Sequence, residues 1–257
     1  KESSQITIGI PQDVDSLDPH KAVAAGTKEG LFNVFEGLVK PDSEGNLNDA
    51  VAESHTISED GKVYTFTLRD GVKFHDGTTV TAVKYSIDRC ADTSNGDPLV
   101  SAFLAIDSVN IIDEKTVEIV LKEGNTDFLP YLTAAILPAA NEDPESNPIG
   151  TGPYKYVSRS PQENVILEKF DEYWGTPANI DTVKLQVIAN ADTIVTSLNG
   201  GSVDMFARIS QAQADQLSDD FDVLEGTMNL VQAMYLNNAK EPFNDVRVRQ
   251  ALCYAVD

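Results

Sequence analysis

Tyr64-Thr-Phe-Thr-Leu-Arg-Asp-Gly-Val-Lys-Phe-His-Asp-Gly-Thr-Thr-Val-Thr-Ala-Val-Lys-Tyr-Ser-Ile-Asp-Arg89 is the stretch on which the fold turns. Side chains alternate over residues 63–68, with Tyr64, Phe66 and Leu68 on one face and Val63, Thr65 and Thr67 on the other. That alternation predicts a half-buried strand. Asp70-Gly71 and Asp76-Gly77 predict two turns, in which glycine takes the positive φ that side chains disfavour. Thr81 is placed to cap a helix whose Val83, Ile87 and Cys90 recur at i, i+4 and i+7 on one stripe.

Towards the N-terminus, Ile6, Ile8 and Ile10 alternate as a strand that Pro11 closes. Ser16-Leu17-Asp18-Pro19-His20 reads as an ordered turn, because Pro19 fixes its own φ and biases Asp18 to extended geometry. Thr27 is a candidate cap for a helix with Leu31, Val34 and Phe35 on one face, and Glu36-Gly37-Leu38-Val39 then leaves as a short strand. Residues 55–58 pair with 63–68 around an Asp60-Gly61 turn, and residues 109–112 pair with 116–121. Asp97-Pro98 predicts a second helix with proline at its first position, and Asn125 or Thr126 a short helix towards Ala135. Residues 138–148 are loop in composition and mark a boundary. Strands at 154–157, 165–170, 183–188 and 203–206 then alternate with helices at 191–199 and after Ser210, the latter burying Ala214 and Leu217. This rhythm is that of an α/β layer. Met234 to Asn238 is read as a strand end, and residues 246–256 as a helix without a stop signal.

A chain of 257 residues can bury roughly 70–75% of its unfolded surface. Its 19 Lys and Arg against 41 Asp and Glu leave a net charge of −22, without a basic patch, so nucleic acid is excluded as a partner. No apolar run is long enough to span a membrane. No signal peptide precedes Lys1, so an exported protein is expected here in mature or trimmed form. Cys90 and Cys253 sit on helix stripes and are expected as small buried hydrophobes, although a disulfide suits an exported protein. Catalysis finds no support. His20, His55 and His75 lack a Gly-x-Ser-x-Gly elbow to pair with and lack metal-ligand spacing. Gly150-x-Gly152 is followed by Pro153, which removes a phosphate-binding donor. No catalytic residue, metal or cofactor is assigned.

The quoted stretch is one of several that occur in a fixed order. The others are Ser16 to His20, Phe35-Glu36-Gly37-Leu38-Val39, Gly150-Thr-Gly-Pro-Tyr154, Asp171-Glu-Tyr-Trp-Gly175 and Pro242-Phe-Asn-Asp-Val-Arg-Val-Arg-Gln-Ala-Leu252. Together they resemble the extracellular solute-binding proteins of ABC importers, in the peptide/nickel-binding class. The resemblance covers the whole chain but only about the first half of that family. It implies an α/β, periplasmic-binding-protein-like fold of type II, with an extra subdomain. Residues 1–45 would open the first lobe, 46–147 form an inserted hairpin-rich subdomain, and 148–257 complete the lobe, with the second lobe beyond. It further implies a monomeric, non-enzymatic receptor that captures short peptides, or another small solute, and delivers them to a membrane permease. Such a receptor works outside the cytoplasm, in the periplasm or on the outer face of the cytoplasmic membrane, with lipid anchoring left open. In peptide-binding members the segment matching Glu36, Gly37 and Leu38 lies at the cleft, where its backbone hydrogen-bonds an extended peptide. A helix C-cap is the other reading of Gly37. Asp15, Ser16 and Leu17 are further ligand-binding candidates, and Tyr154 and Trp174 are expected as core aromatics. A receptor for a nickel chelate or sugar, a ligand-presenting partner of a membrane sensor, and a surface hydrolase stand as alternatives.

Overall fold

Residues 63–68 form a strand in the interior of a sheet. The computed structural model describes residues 4–94, 96–217, 219–226 and 233–256. Four antiparallel strands, β4 (Ala52–Ile57), β5 (Val63–Leu68), β6 (Ile106–Ile111) and β7 (Thr116–Leu121), lie in the order β4-β5-β7-β6. Tyr64 stands opposite Ile57 and Ile119, and Phe66 opposite His55 and Val117. Tyr64, Phe66 and Leu68 are buried, as the alternation requires. Gly71 and Gly77 take φ of +75° and +84° in the two turns. Helix α2 (Val83–Ala91) adds Val83, Ile87 and Cys90 to the same apolar cluster. Thr81 does not cap it: the helix starts after Ala82, with no side-chain cap. A cap contributes about 1 kcal/mol, whereas each buried apolar side chain contributes about 1.5–3 kcal/mol, so packing sets this helix start.

The second sheet is mixed and has five strands. Strand β1 (Gln5–Ile10) runs parallel to both β10 (Thr182–Val187) and β11 (Met205–Phe206). Strands β9 (Asn164–Lys169) and β8 (Tyr154–Ser160) continue it antiparallel. Leu31, Val34, Phe35, Val165, Leu167 and Leu185 form the apolar cluster over this sheet. A short hairpin, β2 (Val39–Pro41) with β3 (Leu47–Asp49), lies between the two sheets in sequence.

Several helices differ from expectation. Helix α1 (Ala25–Leu31) contains Thr27 rather than being capped by it, and the Thr27 hydroxyl accepts the Asp15 N–H at 3.0 Å. The Asp15 carboxylate instead serves the helix start, accepting Val23 and Ala24 N–H at 2.9 and 3.0 Å. No α-helix follows Asp97-Pro98; a short 3₁₀ turn, Ser101–Ala105, takes its place. Residues 125–135 yield only a 3₁₀ turn, Leu129–Thr133, whose Pro130 has no N–H to extend a helix. Helix α3 (Ala191–Asn199) is as expected, closed by Gly200. The strand expected over 203–206 is confined to β11. Ser210 does cap α4 (Gln211–Ala214) in a reciprocal box with Gln213, but the helix is one turn long and leaves Ala214 and Leu217 only half-buried.

The chain divides into two compact units, Lys1–Ser218 and Asp219–Asp257. In the second, α5 (Val246–Tyr254) is capped by Asp245, whose carboxylate accepts the Arg247 N–H at 2.9 Å. Residues 233–238 are not a strand, and Met234 and Tyr235 are exposed; residues 227–232 lie outside those described. Both cysteines are free. Cys90 is buried as expected, which pushes its thiol up to about 12. Cys253 is exposed, because α5 buries none of its described residues. No helix among the described residues is long and apolar enough to cross a membrane.

The Gly-Thr-Gly run is explained by backbone crowding. A Cβ at Gly150 would lie 2.0 Å from Val34 O, and one at Gly152 2.3 Å from Asn33 O. His75 ties the turn after β5 to this run. Its Nε2–H donates to Gly152 O at 3.0 Å and its Nδ1 accepts the Gly150 N–H at 3.2 Å. Burial pushes the imidazole down to about 4. The unfolded histidine binds a proton near pH 6.5 and the folded one does not, so stability is full above pH 6.5 and falls as the solution is acidified towards pH 4. The expected loss from this group is about 2 kcal/mol by pH 5. Urea unfolding at pH 7 and pH 5 checks it: the difference should shrink by that amount in His75→Gln.

Candidate ligand groove

After α1 the chain turns through Phe32, Asn33 and Val34, passes along Glu36 and Gly37, and bends at Leu38 into β2. Segment 134–137 passes beside it, and Ile136 N–H donates to Glu36 O at 2.9 Å. A Cβ on Gly37 would lie 2.5 Å from Leu132 O and 2.6 Å from the Thr133 carbonyl carbon. Any side chain there collides with backbone. Gly37 is not a helix cap, since α1 ends at Leu31 with Phe32 as its C-cap. The backbone that approaches it is the chain's own.

Glu36 is buried, and its carboxylate is saturated. Oε1 accepts from Lys40 Nζ at 2.8 Å and Tyr173 Oη at 2.7 Å. Oε2 accepts from Trp174 Nε1 at 2.8 Å and Thr151 Oγ1 at 3.1 Å. Burial, reinforced by the Glu36 charge, pushes the Tyr173 phenol above its ordinary value. Two cations lie over the Trp174 ring, with Arg69 Cζ 4.3 Å and Lys40 Nζ 5.0 Å from its centroid. Arg69 in turn donates to Ala50 O and Ala52 O. One carboxylate thereby joins the start of β2, the Gly150–Gly152 run and the Tyr173-Trp174 pair. Trp174 is half-buried and packs against the apolar cluster of the four-stranded sheet, as a core aromatic would, while its indole N–H meets the Glu36 charge.

The segment borders an open groove of about 440 Å³, within the range of small-molecule sites. Glu36 and Gly37 line it, together with Val23, Phe32, Tyr131 and Leu99. Leu38 does not; it is buried in the apolar cluster of the four-stranded sheet. Asp15, Ser16 and Leu17 do not line it either. The Ser16 hydroxyl donates to Glu145 Oε2 at 2.5 Å, and the Leu17 N–H donates to the same oxygen at 3.0 Å. Desolvation raises the Asp15 carboxyl, but hydrogen bonds from Thr27, Val23 and Ala24 outweigh it and hold the group at about 2. These three residues build the turn that carries Pro19 and His20 to the groove edge.

Beneath that turn, Asp18 is fully buried and receives Arg89 in a two-bond pair, Nη1 to Oδ1 at 3.1 Å and Nη2 to Oδ2 at 2.5 Å. Burial works to raise the Asp18 carboxyl; the Arg89 guanidinium overrides it and holds the group below its usual range. Arg89 Nη1 also donates to His20 Nδ1 at 2.6 Å, so the neutral ring donates from Nε2 to Ala135 O at 2.7 Å. Burial, with the Arg89 charge, keeps His20 below its ordinary value. Ala135 lines the groove, so the ion pair supports its wall through His20. Arg89, Lys28, Phe32, Lys40 and Tyr131 are among the residues that the sequence reading missed. Only Lys40, four residues from Glu36, carried a local signal.

A family model described as bacterial extracellular solute-binding proteins, family 5 Middle, matches residues 46–257. The glutathione-binding protein GsiB of Escherichia coli O1:K1 / APEC is 31% identical over 269 residues, covering 99% of this chain and 52% of that protein. Among solved structures, NikZ from Campylobacter jejuni in complex with Ni(L-His) has a TM-score of 0.87 at 28% identity, covering 98% of this chain and 53% of that one. The periplasmic binding protein DppA from Helicobacter pylori, in complex with peptide STSA, has a TM-score of 0.82 at 25% identity, covering 99% and 57%. The chain spans about half the length of the curated relatives it matches. Its two sheets are those of a type II periplasmic binding protein. By the extent of the family match, the chain belongs to the bacterial extracellular solute-binding proteins, family 5.

Proposed function

We propose that this chain is the solute-capturing part of an ABC-importer receptor, that it takes short peptides, and that the full-length protein passes them to a membrane permease on the outer side of the cytoplasmic membrane. The observation that carries the reading is the groove: an apolar concavity of about 440 Å³ edged by Glu36 and Gly37. Its volume is within the range of small-molecule sites, and relatives are named for glutathione and crystallised with a peptide. The reading is of binding, not turnover, because the Glu36 carboxylate and both His20 nitrogens are committed to internal hydrogen bonds. Residues 1–45 and 148–257 are assigned to one lobe and 46–147 to an inserted subdomain. The five-stranded sheet draws its strands from within 5–10 and 154–206 and the four-stranded sheet from within 52–121, which supports that division for residues up to 206.

Calorimetric titration of short peptides into the natural full-length protein tests this. Binding at micromolar affinity or tighter is expected, and Phe32→Ala should weaken it about tenfold by removing an apolar groove contact. Residues 1–257 in isolation should bind far more weakly, with less surface to enclose the solute. Unchanged affinity in Phe32→Ala would place the solute elsewhere.

A further inference from the structure

The chain carries a net charge of −22, yet its groove wall reverses that sign. Among the described residues lining the groove, Glu36 is the one carboxylate, and its oxygens are taken by four donors. Lys40 is neutralised by the same group at 2.8 Å. Lys28 is what remains. It stands in the last turn of α1, exposed, and its ammonium has no ion-pair or hydrogen-bond partner among the described residues. Phe32, one helical turn further along the chain, and Tyr131 on the facing segment each present an exposed ring to the groove, at 45% and 48%.

An unpartnered cation beside apolar walls, on a protein otherwise crowded with acids, attracts an anion and repels an ammonium. An exposed ion pair in water is worth no more than about fivefold in affinity. The same pair roofed by an apolar solute, with a hydrogen bond between its members, reaches about tenfold or more.

We propose that Lys28 is an anion subsite of the groove: it takes a carboxylate of the solute, whose apolar body lies on Phe32 and Tyr131. The proposal rests on the groove being the solute site. It also assigns an orientation, since a solute ammonium finds no free carboxylate among the described residues of this wall and must point away from it.

The test is calorimetry on the natural full-length protein with three probes: the tripeptide Ala-Ala-Phe as free acid, its C-terminal amide, and the amide of Ala-Glu-Phe. The free acid should bind about tenfold tighter than its amide. In Lys28→Met that gap should close to within about twofold, and Lys28→Arg should restore it. Ala-Glu-Phe amide matching the free acid would assign the subsite to a side-chain carboxylate; matching the plain amide would assign it to the chain terminus. A gap that persists in Lys28→Met overturns the proposal. If Phe32→Ala weakens every probe while Lys28→Met alters none, the groove stands and the anion subsite falls. If neither variant changes binding, or no probe binds, both readings fall.

Discussion

Arg89→Met is expected to destabilise the fold by about 3–5 kcal/mol, because it removes the two-bond partner of the buried Asp18 carboxylate and leaves it only the exposed Lys21 ammonium at 3.6 Å. Asp18 has no exposed side-chain surface, so water does not replace the guanidinium. The loss spreads further, since Arg89 also fixes the His20 tautomer that bonds Ala135 O at the groove wall. Urea unfolding of the single variant should show the full cost as a lower midpoint. The double variant Arg89→Met, Asp18→Asn should recover more than half of it, because the stranded charge is gone. A single-variant cost below about 1 kcal/mol, the range of surface pairs, would contradict this account.

Glu36→Ala is expected to cost about 3–4 kcal/mol, for a different reason. The substitution strands mainly donors: Tyr173 Oη, Trp174 Nε1 and Thr151 Oγ1 lose their acceptor together, and Lys40, which is partly exposed, loses its ion-pair partner. Glu36→Gln keeps one acceptor oxygen and should cost roughly half as much. Trp174 is the one tryptophan in the sequence, so its emission reports this site directly. A red-shifted emission at neutral pH is expected in Glu36→Ala. An unshifted spectrum with wild-type stability would show that the four-donor cluster is not maintained in solution.

Local patterns were legible where one face of a segment decides its fate. Tyr64, Phe66 and Leu68 declared β5 by period, and the glycines at 71 and 77 declared their turns by chemistry. The starts of α1 and α2 were not legible, unlike that of α4 at Ser210, because Thr27 and Thr81 look like caps but the tertiary partners, Asp15 and the apolar cluster around Val83, set the boundaries. Pro98 and Pro130 stand at positions where proline opens helices, and here only 3₁₀ turns follow. In the site, Glu36 and Gly37 were marked by motif, yet the partners that define them are distant in sequence: Trp174 and Thr151 for the carboxylate, Leu132 and Thr133 for the glycine. Arg89 was read only as the end of the opening stretch; its contact with Asp18, 71 residues away, leaves no periodic trace.

The wiring of the five-stranded sheet bears on how the molecule is made. Strand β1 lies between β10 and β11, and the Ser4 N–H meets the Asp181 carboxylate across 177 residues. At about 5–20 residues per second, a ribosome needs on the order of 10–30 s to deliver those partners. The hairpins of the four-stranded sheet, by contrast, are complete by residue 121. Strand β1 is therefore made before the hairpins yet pairs after them, staying without its sheet neighbours until residues 182–206 have been made.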